Sequence, residues 1–265
     1  MTLLAIEALQ RIRSGGLTLG FGVHQLRGAA VPLLAKAAGY DWLFIDSEHG
    51  AISTQEISQL CLAALPTGIA PLVRICRGAI DEGTRALDNG ALGIVVPHVD
   101  TADEARGLVE AFRFHPMGHR STGGPSAQFA FRPPAALEMQ RTLNTELLLI
   151  PMIETPQAVE NAESIAAVEG IDVLLIGTND LSLEMGIAGQ VGHERVQDAY
   201  RQVGEACRRH NKVFAMGGVY DKEWASRYIA MGVRMVLAGS DHGLLLEAAT
   251  SRAKYLRGLA GAEGS

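Results

Sequence analysis

The sequence is poor in cysteine, aromatic residues and positive charge, and each shortage excludes a class of protein. It has only three cysteines, Cys61, Cys76 and Cys207, with no CxxC pair, so neither a disulfide framework nor a structural zinc site is predicted and a reducing cytoplasm is favoured. Aromatic residues make up 5% of the chain and the formal net charge is −6, which argues against a nucleic-acid binder. No apolar run approaches the roughly 20 residues of a membrane-spanning helix.

What the chain has instead is 48% hydrophobic residues, 30 glycines and a repeating pattern of short apolar runs separated by helix-like segments. This alternation is typical of a parallel sheet with crossover helices. A length of 265 residues is compatible with a large doubly wound sheet, but eight runs are the number that closes a (β/α)8 (TIM) barrel. We therefore predict one α/β barrel domain over residues 1–265. The predicted strands are 17–23, 42–46, 71–75, 92–96, 147–154, 172–177, 212–218 and 234–240.

Helix-start signals fall in the segments between these runs. Two are capping boxes and one is a threonine cap before a first-turn proline: Ser53 with Glu56, Thr101 with Glu104, and Thr155-Pro156. An amphipathic N-terminal helix is predicted over residues 1–16. Between the fourth and fifth runs the chain is rich in Gly, Pro and polar residues, which predicts a long active-site loop and helix over 113–145.

Polar side chains that follow the strands decide where chemistry is expected, because the carboxyl ends of parallel strands form the ligand-binding face. Glu154 and Asp180 end consecutive strands about 4.8 Å apart, so both carboxylates can face one point. Two such oxygen ligands favour a divalent cation, Mg2+ or Mn2+ first and Co2+ as a third option. The alternative is that one carboxylate pairs with an arginine while Asp180 caps the helix that follows.

Two further side chains at this face suggest catalytic roles. His49 follows Asp46 by three residues, so it could act as a general base oriented by that carboxylate; the alternative is a turn or a surface pair. Arg74 lies near the end of an apolar strand and needs an anion there. That anion could be a substrate, or it could be Glu48 or Glu154 in a salt bridge.

Six motifs in register from about residue 17 to 245 together resemble the HpcH/HpaI family of class II pyruvate aldolases. They are FIDSEHG at 44–50, Arg74 in PLVRI, VVPHV at 95–99, the PxGxR element at 116–120, MIET at 152–155 and IGTNDLSLEMG at 176–186. The resemblance implies that Glu154 and Asp180 bind the metal, that Arg74 stabilises an enolate oxygen, and that His49, supported by Asp46, exchanges a proton with the aldol hydroxyl through water. It also implies a set of substrate-binding residues: Gly177, Thr178, Asn179 and Arg120.

The reaction that this resemblance implies is the cleavage or formation of a carbon–carbon bond between pyruvate, or a similar 2-oxo acid, and an aldehyde through a metal-stabilised enolate. The partners are then small molecules, with no nucleic acid or membrane, and a homo-oligomer, commonly a hexamer in the family. A lysine Schiff base is the other electron sink for such a reaction. It is disfavoured because three of the four lysines fall in predicted helices and Lys212 begins a strand at the wrong end of the barrel.

Two other functions remain open at the level of sequence. One is a citrate-lyase-like enzyme acting on an acyl-CoA, which needs a basic groove for the CoA phosphates; Arg113, Arg120 and Arg132 are the candidates. The other is a non-catalytic barrel that binds a carboxylate or phosphate ligand, with Asp180 acting as a helix cap.

Overall fold

The computed structural model describes residue 4 and residues 7–124 and 126–261, and these form a closed barrel of eight parallel strands. The strand order follows the sequence, and β8 pairs with β1 to close the barrel. Both ends of every strand lie within one residue of the predicted run, so the predicted fold is confirmed. The strands are β1 Thr18–Val23, β2 Trp42–Asp46, β3 Ala70–Arg74, β4 Gly93–Val96, β5 Leu148–Ile153, β6 Val173–Gly177, β7 Val213–Gly217 and β8 Met235–Ser240.

Helices follow the strands and pack around them. They are α1 Glu7–Arg13, α2 Ala30–Ala37, α3 Thr54–Ala64, α4 Ile80–Asp88, α5 Ala102–Phe112, α6 Ala136–Glu146, α7 Pro156–Glu160, α8 Ala162–Ala166, α9 Thr178–Glu184, α10 Glu194–Arg209, α11 Lys222–Ala230 and α12 Asp241–Gly261. Both predicted capping boxes form, at Ser53 before α3 and at Thr101 before α5. Thr155 accepts a hydrogen bond from the backbone N–H of Ala158 at 3.0 Å, as predicted for α7. None of the described helices has the length and apolar character needed to cross a bilayer.

The N-terminal helix closes the amino-terminal end of the barrel. In α1, Leu9 and Ile12 are buried, and Arg11 pairs with Asp41 just before β2 at 3.0 Å. The helix ends at Arg13, so residues 14–16 of the predicted segment are not helical, and residues 14 and 15 form a turn. Positions 1–3, 5 and 6 of the prediction lie outside the described residues.

The long segment after α5 lies at this same amino-terminal end, so its prediction as an active-site loop is wrong for the site within one chain. Arg113 donates to the carbonyls of Leu147 at 2.9 Å and Gly170 at 2.7 Å, which precede β5 and β6. Gln128 donates to the carbonyl of Ala91, before β4, at 2.9 Å. The reason is directional: α5 starts directly after β4 and runs back along the barrel, so a segment that follows α5 begins at the opposite end from the strand carboxyl ends.

The outer surface of the barrel is incompletely covered where β8 meets β1. Every residue of β2 to β6 is buried, whereas Leu19 and Phe21 of β1 and Ala238 of β8 are only half-buried. The last helix does not cover them. Beyond Asp241, the described side chains of α12 are exposed except for half-buried Leu244.

Candidate active site

A cavity of about 190 Å³ opens at the carboxyl ends of the strands, where barrel active sites form. Its lining residues lie on or just after every strand except β4: His24, Phe44, His49, Arg74, Met152, Leu175, Gly177, Thr178, Asn179, Asp180, Gly217, Gly218, Tyr220 and Leu237. A larger cavity of about 560 Å³ lies between α1 and α10 at the other end, away from these groups. The smaller cavity is therefore the candidate active site.

Arg74 is held rigidly at the edge of this cavity by two acidic residues. Its Nε and Nη2 donate to the two carboxylate oxygens of Asp46 at 2.9 and 2.7 Å, and its Nη1 lies 3.2 Å from Glu48 Oε2. Such bidentate pairing fixes a guanidinium in one orientation. Buried Arg74 is thus paired with anions of the protein itself. One of them is Glu48, which the sequence had suggested, together with Glu154, as a possible salt-bridge partner.

The sequence spacing had suggested that Asp46 orients the His49 ring, but in the structure it does not. From His49 it receives only the backbone N–H, at 3.2 Å, while the imidazole of His49 is 64% exposed and 3.8 Å from Glu48. The ring that meets Asp46 is that of His24, whose Nδ1 lies 3.1 Å from Oδ2. Burial raises the pKa of Asp46, but hydrogen bonds from His24 and Arg74 outweigh burial and hold it well below its usual value.

Glu154 directly follows β5, and its carboxylate occupies space that Gly177 leaves open. Its side chain is 1% exposed, and Oε2 accepts the backbone N–H of His98 at 3.0 Å. A Cβ on Gly177 of β6 would lie 2.3 Å from Glu154 Oε1, so the carboxylate depends on the missing side chain there. Burial raises the pKa of Glu154, and the nearby negative charge of Asp180 raises it further.

Asp180 lines the cavity with no protein partner for its carboxylate. Helix α9 begins at Thr178 after Gly177, so Asp180 is its third residue and not its cap. Within the described residues its side chain forms no hydrogen bond or ion pair, and the basic group nearest Glu154 is the His98 ring, at 3.9 Å. The alternative that these two acids serve an arginine and a helix cap is therefore wrong.

The pair of carboxylates fits a divalent cation that completes its shell with other oxygens. Among the described residues there is no group of three or more His, Cys, Asp or Glu side chains that could enclose a metal ion. Two carboxylates beside an open cavity are the arrangement expected for Mg2+ or Mn2+, which retain water or substrate oxygens.

The end of β6 and the first residues of α9, which directly precede Asp180, also face the cavity. Gly177, Thr178 and Asn179 all line it. Thr178 is buried and its hydroxyl is 2.7 Å from that of Tyr200, while Asn179 is exposed. The strand end is thus anchored below and open above, and its role in binding a substrate carboxylate stays a prediction.

Arg120 does not belong to this cavity, and its predicted role as a substrate-binding residue is wrong for the site within one chain. Its Nη2 pairs with Asp88 at 2.7 Å, and its guanidinium stacks on Phe114. Asp88 ends α4, just before β4, so the pair lies at the amino-terminal end of the barrel. The same holds for Arg113, which leaves no basic groove at the cavity from these two residues.

The lysines are equally remote from the cavity. Lys212 donates to the carbonyls of Val168 and Ile171, the latter at 2.8 Å, before β6 begins. Lys36, Lys222 and Lys254 lie in α2, α11 and α12 and are absent from the cavity lining. No lysine of the described chain is placed to form a Schiff base there.

His24 and Tyr220 line the cavity but were not singled out from the sequence as site residues. His24 directly follows β1, so the rule that selected Asp46 and Glu154 at strand ends could also have selected it. Tyr220 lies three residues beyond β7, in a stretch with no other chemical signal.

Comparison with known proteins shows that the chain is similar to aldolases. A sequence model described as "HpcH/HpaI aldolase/citrate lyase" matches residues 28–248. A protein of Chaetomium globosum named 4-hydroxy-4-methyl-2-oxoglutarate aldolase is 38% identical over 92% of each chain. A hydroxypyruvate/pyruvate aldolase of Delftia acidovorans is 36% identical over 84% of this chain and 83% of its own. The crystal structure of an HpcH/HpaI aldolase from Desulfitobacterium hafniense superposes with a TM-score of 0.90 at 29% identity, covering 96% of this chain and 97% of that one.

Proposed function

The chain belongs to the HpcH/HpaI aldolase/citrate lyase family, and we propose that it is a metal-dependent aldolase acting between pyruvate, or a similar 2-oxo acid, and an aldehyde. It is a carbon–carbon lyase, as its aldolase relatives are. The observation that carries the metal-dependent mechanism is the pair Glu154 and Asp180, two acidic groups close to one another at the carboxyl ends of neighbouring strands. Among the described residues, no lysine or arginine forms a salt bridge with either carboxylate.

Glu154 and Asp180 would hold the divalent ion, Mg2+ or Mn2+ with Co2+ as a third option, because both offer only hard oxygen ligands. Such an ion withdraws electron density from the 2-oxo group and lowers the energy of the enolate oxygen. The strand end at Gly177, Thr178 and Asn179 would receive the substrate carboxylate.

Arg74 would stabilise the same developing oxyanion. Three of the five N–H donors of its guanidinium face Asp46 and Glu48, which leaves two for an oxygen in the cavity. Because its orientation is fixed before the substrate arrives, little reorganisation is needed when charge develops.

The alternatives lose the features on which they rested. An acyl-CoA lyase requires a basic groove at the cavity, but Arg113 and Arg120 lie at the opposite end of the barrel, and Arg132, the third candidate, is absent from the cavity lining. A non-catalytic barrel required Asp180 to cap a helix, and Asp180 is the third residue of α9.

The test is pyruvate release from 4-hydroxy-2-oxo acids by purified enzyme, before and after metal removal. The panel should include 4-hydroxy-4-methyl-2-oxoglutarate, the substrate in the name of the fungal relative, whose cleavage between C3 and C4 yields two pyruvates. We expect activity that a chelator removes and Mg2+ or Mn2+ restores. Activity that persists in chelator, with no metal in the protein, would overturn the proposal.

We also propose that the enzyme is a homo-oligomer in which α12 packs on another copy of the chain. Leu245, Leu256 and Leu259 lie on one face of α12, because they are 11 and 14 residues apart on a helix of 3.6 residues per turn, and they are 63, 53 and 52% exposed. The uncovered surface of β8 borders a cavity of about 430 Å³ lined by apolar residues such as Val236 and Ala238. The apolar face of α12 from a second copy would match the apolar lining of that surface, since exposed apolar patches mark interfaces. The hexamer implied by the family resemblance and the cytoplasmic location both stay predictions.

A further inference from the structure

The cavity of about 560 Å³ at the amino-terminal end of the barrel takes no part in the proposed reaction. Its walls come from the end of α1 and the turn after it, from the second half of α10, and from the segments that lead into β7 and β8. The buried residues of its lining are apolar: Ile12, Cys207 and Phe214. Its volume falls in the range of roughly 300–1,000 Å³ that is usual for small-molecule sites.

The lining of this cavity carries an excess of positive charge, in a chain whose net charge is −6. Five basic side chains line it against a single acidic one, Glu205. Two of the five are neutralised within the protein, because Arg13 pairs with Glu146 and Arg201 pairs with Asp198. The five are Arg13, Arg201, Arg208, Lys212 and Arg234.

Within the described residues, the other three basic side chains form no ion pair. The exposed side chain of Arg208 forms no hydrogen bond either. Arg234 Nη1 donates to two main-chain carbonyls at 3.0 and 2.8 Å, and Lys212 Nζ donates to two others at 3.3 and 2.8 Å. The one acid of the lining does not compensate them, since Glu205 pairs with Arg209 at 3.5 Å.

Partial burial makes the positive charge of Lys212 unfavourable. Its pKa is lowered chiefly by burial, and the negative charges of Asp172 and Glu169 oppose this only in part. Asp172 is itself paired with Arg113. An anion bound in the cavity would therefore favour the charged form of Lys212.

The charge and the size of the cavity together indicate the class of ligand. A guanidinium group matches a phosphate group through paired N–H donors. A phosphate monoester carries about two negative charges near pH 7, so it suits three unpaired cations better than a single carboxylate does. A free phosphate ion would leave most of the volume and the whole apolar lining unused.

We propose that this cavity binds a small organic phosphate. The phosphate group lies among Arg208, Lys212 and Arg234, and an apolar part of the molecule covers Ile12 and Phe214. The site is at the opposite end of the barrel from the candidate active site, and it is independent of the proposed aldolase reaction.

The experiment measures binding to the metal-free, full-length protein by calorimetric titration. The two phosphate esters are AMP and phenyl phosphate, and the two comparison ligands are adenosine and inorganic phosphate. We expect saturable binding of an ester at one site per chain, weakened by added salt because part of the site is exposed. Adenosine and inorganic phosphate should bind at least roughly tenfold more weakly, because each lacks either the ionic contacts or the apolar part.

Variants of Arg208 test the site without disturbing the fold, because this side chain makes no contact of its own that the protein would lose. Arg208→Gln should weaken ester binding by about tenfold or more, and Arg208→Glu should weaken it further. Arg234→Gln should also weaken it, with circular dichroism as the check on folding. Arg141→Gln is the matched control: it removes the same charge from the exposed face of α6, outside the cavity lining, and should stay within about twofold of the wild type.

Four results would overturn the inference. They are no saturable binding of either ester at millimolar concentration, unchanged affinity in Arg208→Glu, inorganic phosphate binding as tightly as the esters, and displacement of the ester by pyruvate with Mn2+, which would place it in the active site. Chelator-insensitive cleavage would defeat the proposed function but leave this site intact, because ester binding is measured without metal.

Discussion

Gly177 ends β6 beside the Glu154 carboxylate, and its replacement by alanine should disable the metal site while leaving the barrel folded. A Cβ at position 177 would lie 2.3 Å from Glu154 Oε1 and 2.7 Å from Glu154 Cγ, far inside van der Waals contact. The backbone itself tolerates alanine, since φ is −85°. Glu154 is 1% exposed, so the side chain has little room to retreat without leaving its hydrogen bond to His98.

The size of the effect follows from the cost of overpacking a buried site. Inserting a methyl group into such a place typically costs about 1–3 kcal/mol. If the carboxylate is displaced to relieve the strain, that cost becomes a roughly five- to 150-fold loss of affinity for Mn2+. Calorimetric titration with Mn2+ measures this loss, and circular dichroism with thermal unfolding checks that the fold persists.

A matched control lies one strand away. Gly217 of β7 is the register partner of Gly177, but a Cβ there would lie 3.5 Å from the nearest side-chain atom, an ordinary contact. Gly217→Ala should therefore bind Mn2+ within about twofold of the wild type. Equal affinities in the wild type and both variants would refute the reasoning, because Glu154 would then not be a ligand held in place by the strand end.

Three further predictions follow from the same structure. Glu154→Ala or Asp180→Ala should abolish Mn2+ binding, whereas Arg74→Ala should keep the metal and mainly lower kcat; metal retained in both carboxylate variants by calorimetry would contradict the assignment. Hydrogen bonds hold the pKa of Asp46 below its usual value, so the stability that this group contributes is complete above about pH 4 and is lost as the pH falls further. Urea unfolding should therefore show Asp46→Asn less stable than the wild type near pH 7, and the difference in the free energy of unfolding should narrow below about pH 4. A difference that stays constant with pH would disprove this prediction. Leu256→Glu should lower the molar mass seen by light scattering, while an unchanged mass would remove α12 from the interface.

Strands and helix starts could be predicted from the sequence because their determinants are local. Each strand is a short apolar run between breakers, and each capping box needs only two side chains three residues apart, as at Ser53 and Thr101. The strand ends then follow, and with them Arg74, Glu154 and Asp180 at one face of the barrel. The order of strands and helices along the chain then tells which other segments lie at the carboxyl ends of the strands.

The same rule of direction shows why Arg120 was misplaced. The segment containing it is rich in glycine and proline, which is a compositional signal for a loop but says nothing about which end of a barrel the loop occupies. The capping box at Thr101 had already placed a helix directly after β4, and one helix later the chain is at the amino-terminal end. Position in the β/α alternation is the stronger evidence.

The partner of Asp46 could not be predicted from neighbouring residues, because it comes from another strand. His49 is three residues away along the chain, whereas His24 is brought close by the pairing of β1 with β2, in which Val23 faces Ile45. The backbone N–H of His24 donates to Asp241, a contact that requires the closure of β8 on β1. Both contacts are consequences of the closed barrel.

The charges at the carboxyl end of the barrel divide into two groups, and this division gives the site its chemistry. Arg74 is neutralised within the protein by Asp46 and Glu48, so its charge is not available to compensate Glu154 and Asp180 fully. Those two carboxylates are left beside one another, and the pKa of Glu154 is raised chiefly by burial and further by the negative charge of Asp180. A divalent cation held by Glu154 and Asp180 would supply a compensating positive charge. The acidic pair and the clamped arginine are thus complementary: one attracts the cation, and the other keeps N–H donors in place for the oxygen on which negative charge develops.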